Sequence, residues 1–259
     1  MNMNNYYDEN TARALVIKAG HELIEKKLIA RTWGNISARI SKTQFIITPS
    51  GRSYEDLKED ELVKVNISDC TYEGDIKPSS EKRLHANAYA LRDDAAFVIH
   101  THQFYASAVC AECKSVPFAP CAKYGLSGTK ALSGNVAKVI EANPSMKSFL
   151  MARHGAVLIG GTYEEAFALA SELEDNCKEL FDKKAKSKGH ASWPWLDDYA
   201  QMFSLKGIPM KGEDEEAIEL VKAKNEAASR YVRFALPIPA TIAKLEHLVY
   251  VQKYSKLKG

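Results

Sequence analysis

The sequence predicts a layered α/β domain built on a mixed, mostly antiparallel sheet. Two observations support this prediction. Short segments of alternating or continuous apolar residues, typical of strands, are interspersed with segments whose apolar residues recur at helical spacing. Residues 35–40 and 44–48 are two such strand segments, and the tight turn between them predicts an antiparallel β-hairpin.

The elements follow one another in a regular order along the chain. Thr162, with Glu165 three residues later, predicts a capping box at the start of the longest helix. Prolines and glycines interrupt residues 117–128, which are therefore expected to form a loop. Helical spacing predicts helices over residues 11–29, 78–91, 104–110, 129–142 and 162–186. Strands are predicted over residues 35–40, 44–48, 62–67, 95–101, 148–152 and 156–159.

The pattern weakens after Gly189, which suggests how the chain is organised. Residues 1–189 are predicted to form the main domain. Residues 190–259 are interpreted as a C-terminal helical extension, with helices over residues 213–230 and 242–254.

The composition is that of a globular protein. The chain has 259 residues, of which 46% are hydrophobic and 26% are charged, and these values exclude disordered, collagen-like and coiled-coil chains. With 35 basic and 33 acidic residues the formal net charge is +2, which says little about partners. The basic cluster within residues 183–188 is interpreted as a solvated helix end, so no nucleic-acid partner is expected.

Hydropathy and cysteine usage indicate the compartment. No apolar run is long enough to span a bilayer, and the polar first ten residues do not resemble a secretory signal, so no membrane association is expected. The odd number of cysteines, five, indicates a reducing compartment and predicts a cytoplasmic protein. Cys110 and Cys113 form a C-x-x-C pair without a second pair, which favours buried or inert thiols over a structural zinc site.

Histidines supply the strongest chemical signal. His100 and His102 lie two residues apart on a predicted strand, so both imidazoles point to one face at its end. Such a pair is either a metal site or two partly exposed histidines, and His154, at a strand break before Gly155, favours the metal. Glu81 is a fourth candidate ligand, although a glutamate in a first helical turn is also favoured by the helix dipole. His85, one turn later, either supports this site or simply packs.

A second group of residues suits an anion. Glycines let the main chain approach a phosphate closely, and hydroxyls and amides donate hydrogen bonds to it. The same residue types are also common in turns and caps, and sequence spacing does not show that they converge. The candidates are Gly34, Asn35, Ser50, Gly51, Ser79 and Ser80.

Together these residues resemble the class II aldolase/adducin family, and most closely its L-fuculose-1-phosphate aldolase branch. The resemblance covers about residues 10–180, and its motifs occur in the family's order. They are WGNIS at 33–37, ITPSG at 47–51, PSSE at 78–81 with His85, VIHTH at 98–102 and RHG at 153–155.

The resemblance implies an αβα-layered domain and a homotetramer with active sites between neighbouring subunits. It also implies a zinc-dependent aldolase that cleaves a ketose 1-phosphate to dihydroxyacetone phosphate and an aldehyde. Zinc would be held by His100, His102, His154 and Glu81, and Glu81 would also act as acid and base. The phosphate would be held by Gly34, Asn35, Ser50, Gly51, Ser79 and Ser80.

One departure from the branch concerns the proton donor at the aldehyde end. Cys121 stands where those aldolases carry a tyrosine, so Tyr124, Tyr231 or Tyr250 would have to substitute. The aldehyde, or the reaction itself, can therefore differ. The alternatives are an L-ribulose-5-phosphate 4-epimerase and a related sugar-phosphate decarboxylase or dehydratase. A non-enzymatic adducin-like binding module is a remote alternative, because it would be expected to lack the metal ligands. The sequence does not distinguish zinc from another divalent ion.

Overall fold

A seven-stranded sheet forms the centre of the fold. In this computed structural model the described residues are 6–29, 33–110 and 114–187, so the helices predicted over 213–230 and 242–254 lie outside them. Within these ranges no helix is both long enough and apolar enough to cross a membrane. The strands are β1 (Asn35–Arg39), β2 (Gln44–Ile47), β3 (Val63–Asn66), β4 (Phe97–Thr101), β5 (Cys121–Ala122), β6 (Ser148–Met151) and β7 (Gly155–Gly160).

The strands are arranged in the order β3-β2-β1-β4-β7-β6-β5. Every neighbouring pair is antiparallel except β5 and β6, which are parallel. The predicted mixed, mostly antiparallel sheet is therefore confirmed. The helices that flank the sheet are α1 (Glu9–Glu25), α2 (Lys82–Leu91), α3 (Phe104–Cys110), α4 (Lys130–Ala142) and α5 (Tyr163–Ser187).

Alternation of side chains along the strands produces two cores, one on each face of the sheet. Ile46 of β2 joins the core that α1, α3 and α5 cover. Its neighbours Phe45 and Ile47 join the core that α2 and α4 cover. Because both faces are covered by helices, the domain has the αβα layers expected from the resemblance.

Three local predictions differ from the structure. The predicted loop over residues 117–128 contains β5, because main-chain hydrogen bonds to β6 order a two-residue segment that has no strand signal of its own. Helix α2 begins at Lys82, after Ser79 has accepted a hydrogen bond from the Glu81 N–H. Helix α1 runs from Glu9 to Glu25 rather than over residues 11–29, since Asp8 caps its start.

The predicted capping box of α5 forms only in part. Thr162 Oγ1 accepts a hydrogen bond from the Glu165 N–H at 3.2 Å, as predicted. The Glu165 carboxylate, however, accepts from the Gly161 N–H at 2.6 Å and pairs with Lys147. The ion pair with Lys147 and the bond from Gly161 therefore replace the hydrogen bond from the Thr162 N–H to Glu165 that a complete capping box would contain.

Close packing at the start of β7 explains Gly155. A Cβ at this position would lie 2.2 Å from the Thr101 carbonyl oxygen, which is main chain and cannot move aside. The preceding turn is tight as well, since Arg153 has a φ of 57° and the His154 N–H donates to the Met151 carbonyl at 3.0 Å. Gly155 therefore allows β4 and β7 to approach at the point where His154 leaves the turn.

We expect Gly155→Ala to lower the free energy of unfolding by about 1–3 kcal/mol or more, the cost of overpacking a buried position. Gly134→Ala is the matched control, because Gly134 lies inside α4, where an added Cβ would meet no atom within 4 Å, and alanine favours helix. The control should stabilise the fold by about 0.5–1 kcal/mol. Urea denaturation of both variants measures the difference, and equal shifts would contradict the packing argument.

Candidate metal centre and active site

Three histidines converge at the end of the sheet. His100 is near the end of β4, His102 follows that strand, and His154 precedes β7. The Nε2 atoms of His102 and His154 lie 2.9 Å and 3.2 Å from the Nε2 atom of His100. All three side chains are buried, and their nitrogens are close enough to share one metal ion.

Glu81 completes this cluster from the other side. Its Oε2 atom lies 3.1 Å from His100 Nε2, and its Oε1 atom lies 3.3 Å from His154 Nε2. The residue occupies the N-cap position of α2 and is only 7% exposed. The structure thus brings together the four candidate metal ligands that are far apart in the sequence.

The hydrogen bonding of His100 indicates which of its nitrogens faces the cluster. Its Nδ1 atom lies 2.8 Å from the Ala156 carbonyl oxygen, which can only accept, so Nδ1 carries the proton. Nε2 is then the nitrogen that faces the carboxylate of Glu81, and its lone pair would be available to a metal ion. At 3.1 Å from Glu81, Nε2 needs either a proton or a metal ion between the two groups, and an Nδ1–H that donates to a main-chain carbonyl is usual for metal-ligating histidines.

The spacing of the donors also fits a divalent ion. Ligands at about 2.0–2.1 Å in a tetrahedron lie about 3.3 Å from one another. Four of the six donor pairs here are 2.9–3.3 Å apart, and the three histidine nitrogens all lie within 4.8 Å of one another. Burial alone would raise the pKa of Glu81, but His154 and His100, when protonated, outweigh it and hold that pKa well below its ordinary value, and a metal cation beside the carboxylate would act in the same direction. Glu81 is therefore ionised, as a metal ligand must be.

Two further groups donate hydrogen bonds to Glu81. Asn35 Nδ2 donates to Oε2 at 3.0 Å, and Ser127 Oγ donates to Oε1 at 3.0 Å. Asn35 lies on β1, whereas Ser127 belongs to the segment between β5 and α4. The side-chain amide of Asn35, a candidate phosphate ligand, therefore donates its hydrogen bond to Glu81 in this structure.

A chain of buried polar groups continues behind Asn35. His85 Nε2 lies 2.5 Å from Asn35 Oδ1, and Ser37 Oγ lies 2.7 Å from both His85 Nδ1 and the Tyr89 hydroxyl. His85, Ser37 and Tyr89 have no exposed surface. Burial, with a smaller effect of His100, lowers the pKa of His85 to about 3, so its ring is neutral. Burial raises the pKa of Tyr89, which keeps its hydroxyl protonated.

The three candidate phosphate-binding elements are joined through Thr48. The Thr48 N–H donates to the Ile36 carbonyl at 3.1 Å, and the Ser79 N–H donates to the Thr48 carbonyl at 3.0 Å. These bonds place residues 34–35, 50–51 and 79–80 next to one another. Gly34 has a φ of +85°, and a Cβ there would lie 2.4 Å from the His100 carbonyl oxygen, so this position requires glycine.

Tyr124, the candidate proton donor, lies in the segment that also contains Ser127. Its side chain is 42% exposed, and the guanidinium of Arg153 lies 5.8 Å from the centre of its ring. Arg153 directly precedes His154 in the sequence, and this contact is the link that the structure gives between Tyr124 and the turn carrying His154. Cys121 is part of β5 and is half-buried. Tyr231 and Tyr250, the other candidates, lie outside the described residues.

Sequence reasoning missed Ser37, Tyr89 and Ser127. Two patterns could have pointed to the first two. In β1, Asn35 and Ser37 alternate with apolar residues, and in α2, His85 and Tyr89 follow Glu81 at four-residue intervals. A polar strand face is normally interpreted as exposed, and here α2 buries it. No sequence signal marks Ser127, which is near Glu81 only in the folded chain.

The cluster predicts that the chelator-treated chain binds one zinc ion per chain. We expect His154→Ala to weaken zinc affinity by at least about 100-fold, more than is usual for loss of a ligand's hydrogen-bond partner. His21→Ala is the control, because His21 is an exposed histidine on α1. Competition with a chromophoric chelator measures both affinities. Equal affinities of the two variants would contradict the metal site.

Comparison with known proteins gives a consistent result. L-fuculose phosphate aldolase from Escherichia coli K12 is 32% identical over 179 residues, covering 64% of this chain and 81% of that protein. A 3-oxo-tetronate 4-phosphate decarboxylase from Pectobacterium atrosepticum is 28% identical over 189 residues, covering 67% and 85% of the two chains. A solved structure of an L-fuculose 1-phosphate aldolase superposes with a TM-score of 0.61 at 28% identity, covering 75% and 94%.

A sequence profile of the family described as "Class II Aldolase and Adducin N-terminal domain" matches residues 14–181. The match spans the whole sheet and contains the three histidines and Glu81. Class II aldolases depend on a metal ion, and the three-histidine cluster is suited to hold it. The chain therefore belongs to the class II aldolase and adducin family, and it is an enzyme of the class II aldolase type.

Proposed function

We propose that this enzyme is a zinc-dependent aldolase that cleaves a ketose 1-phosphate to dihydroxyacetone phosphate and an aldehyde. The observation that carries the proposal is the convergence of an ionised, buried carboxylate with three imidazole nitrogens. His100, His102, His154 and Glu81 would hold the ion. When bound, zinc would supply Lewis-acid stabilisation of the enediolate that carbon–carbon cleavage produces.

Glu81 is proposed as the acid and base of the reaction. Its carboxylate oxygens lie 3.1 Å from His100 Nε2 and 3.3 Å from His154 Nε2, so a group able to accept a proton stands at the proposed metal site. Since a ligand that leaves the metal makes room for substrate, Glu81 can serve first as a ligand and then move protons at the enediolate carbon. Its position at the start of α2, beside the cluster, supports both roles.

The phosphate group is proposed to bind beside Glu81. Gly34, Asn35, Ser50, Gly51, Ser79 and Ser80 are the proposed contacts, and the hydrogen bonds of Thr48 support their grouping. A cavity of about 210 Å³ lies against Glu81 and Ser80 and is also lined by the cationic Arg83 and Lys130. These charges favour an anionic substrate, and fixing its phosphate would orient the scissile bond.

Compartment and assembly are part of the same proposal. We place the enzyme in the cytoplasm, as a homotetramer with residues 190–259 appended to the main domain. Free thiols at Cys70 and Cys177 support a reducing compartment. The family resemblance supports the tetramer.

A decarboxylase is the second candidate, because one of the relatives is named a decarboxylase of a sugar-acid phosphate. Loss of carbon dioxide next to a carbonyl leaves the same kind of enediolate, so the same residues could serve it. The replacement of the expected tyrosine by Cys121 leaves the aldehyde end open to this change. Epimerase and dehydratase activities belong to the same group of alternatives.

We expect zinc-loaded protein to consume dihydroxyacetone phosphate with at least one small aldehyde and to accumulate a ketose 1-phosphate. Glu81→Gln should lower kcat by at least about 100-fold, since proton transfer by a positioned group contributes that much or more. An enzyme assay across a panel of aldehydes measures both effects, and circular dichroism checks the fold of the variant. No consumption by fully metal-loaded protein would favour the decarboxylase, and full activity of Glu81→Gln would exclude its proposed role.

Tyr124→Phe should lower kcat for the aldol reaction by about 100-fold if its hydroxyl donates the proton at the aldehyde end. The ring and its contact with Arg153 are kept, so KM for dihydroxyacetone phosphate should change little. Tyr72→Phe is the control, because Tyr72 is another partly exposed tyrosine outside the cluster. Unchanged kcat for Tyr124→Phe would assign the donor to Tyr231 or Tyr250 instead.

A further inference from the structure

We propose that Asn35 and His85, supported by Ser37 and Tyr89, form a relay of positioning residues that holds the Glu81 carboxylate in its metal-binding orientation. The inference deepens the proposed function, since it rests on Glu81 as a metal ligand. We call the four residues the Glu81 relay. None of them is a candidate metal ligand, and each acts on the metal only through Glu81.

The chemistry of the groups gives the relay one direction. A carboxylate only accepts hydrogen bonds, so the amide group of Asn35 that faces Glu81 at 3.0 Å must be its NH₂. The amide oxygen of Asn35 then faces His85 Nε2 at 2.5 Å, and Nε2 must carry the ring proton. The hydrogen bond to Glu81 thereby sets the tautomer of a ring that Glu81 does not touch.

The directions of the remaining hydrogen bonds in the relay, as far as Tyr89, follow from the same matching of donors and acceptors. With its proton on Nε2, His85 accepts at Nδ1 from the Ser37 hydroxyl at 2.7 Å. Ser37 has donated its only proton, so at its other 2.7 Å contact it accepts from the Tyr89 hydroxyl. Every proton in the relay points toward Glu81, and reversing any one of them would place two donors or two acceptors in contact.

The surroundings make this arrangement rigid. Asn35 and Ser37 lie on β1, whose register with β4 places Asn35 opposite His100. His85 and Tyr89 lie on α2 at four-residue spacing from Glu81 and therefore on the same side of the helix. All four side chains are 4% exposed or less, so water does not compete for their hydrogen bonds.

The two donors to Glu81 are unequal. Asn35 is held by the sheet and by the buried relay, whereas Ser127 belongs to an exposed stretch before α4. Oε2, the carboxylate oxygen nearer His100, therefore accepts its hydrogen bond from Asn35, the donor that the sheet and the relay hold in place. Loss of the relay should leave the carboxylate free to turn away from the histidines, which would weaken metal binding without removing a ligand.

Zinc affinity of the chelator-treated full-length protein tests the relay. We expect His85→Leu to weaken zinc binding by about 10–100-fold, as for other partners of metal ligands. His85→Gln should restore most of the affinity, because the amide nitrogen of glutamine can replace Nε2 as the donor to Asn35. Ser37→Ala, a smaller change, should weaken zinc binding by less than His85→Leu does.

A double-mutant cycle with Glu81→Ala separates the relay from a general structural effect. If the relay acts through Glu81, His85→Leu should change zinc affinity by less than about twofold once Glu81 is absent. An equal loss in both backgrounds, or wild-type affinity of His85→Leu, would overturn the inference while leaving the proposed function intact. If His85→Leu does not fold, Ser37→Ala replaces it in the same cycle. Wild-type affinity of Glu81→Ala would instead refute the ligand role of Glu81, and the relay with it.

Discussion

The antiparallel register of β1, β4 and β7 is the constraint on which the site depends. It places Asn35 opposite His100 and His100 opposite Val157, so that His154 leaves its turn beside the end of β4. A slip of one residue would turn His100 to the opposite face of the sheet. Gly34 and Gly155 protect this register, because a side chain at either position would collide with a carbonyl oxygen of β4.

The carboxylate of Glu81 and the nitrogens of three histidines lie close together at the proposed metal site, and this determines what the site can bind. A buried carboxylate and an imidazole nitrogen 3.1 Å apart need a cation between them, either a proton or a metal ion. Asn35 and Ser127 also donate hydrogen bonds to Glu81. The arrangement therefore suits a bound metal, and it includes the carboxylate that we propose as the acid and base.

The layered fold explains why a polar relay can exist inside the core. Apolar residues of β1 face the core under α1 and α5, while Asn35 and Ser37 face α2. Helix α2 offers His85 and Tyr89 along the same side, so each polar atom finds a partner of matching kind. The polar residues on this buried face of β1 thus connect the sheet to the Glu81 side chain through hydrogen bonds.

Local signals in the sequence were enough for most of the architecture. Period-two and helical patterns predicted the hairpin of β1 and β2, the helices and the mixed sheet, because these depend on near neighbours. Such signals failed at β5, where only pairing with β6 orders the strand, and at Glu165, which a distant lysine draws away from the capping box.

The sequence by itself determined the identity of the candidate ligands, because His100, His102, His154 and Glu81 stand in recognisable motifs. Only the tertiary structure decided what surrounds them. Contacts between β1 and α2, and between Glu81 and Ser127, join residues about fifty positions apart, and no local periodicity records such pairings. Their physical basis is the burial of polar groups, which must find partners wherever the fold brings one within reach.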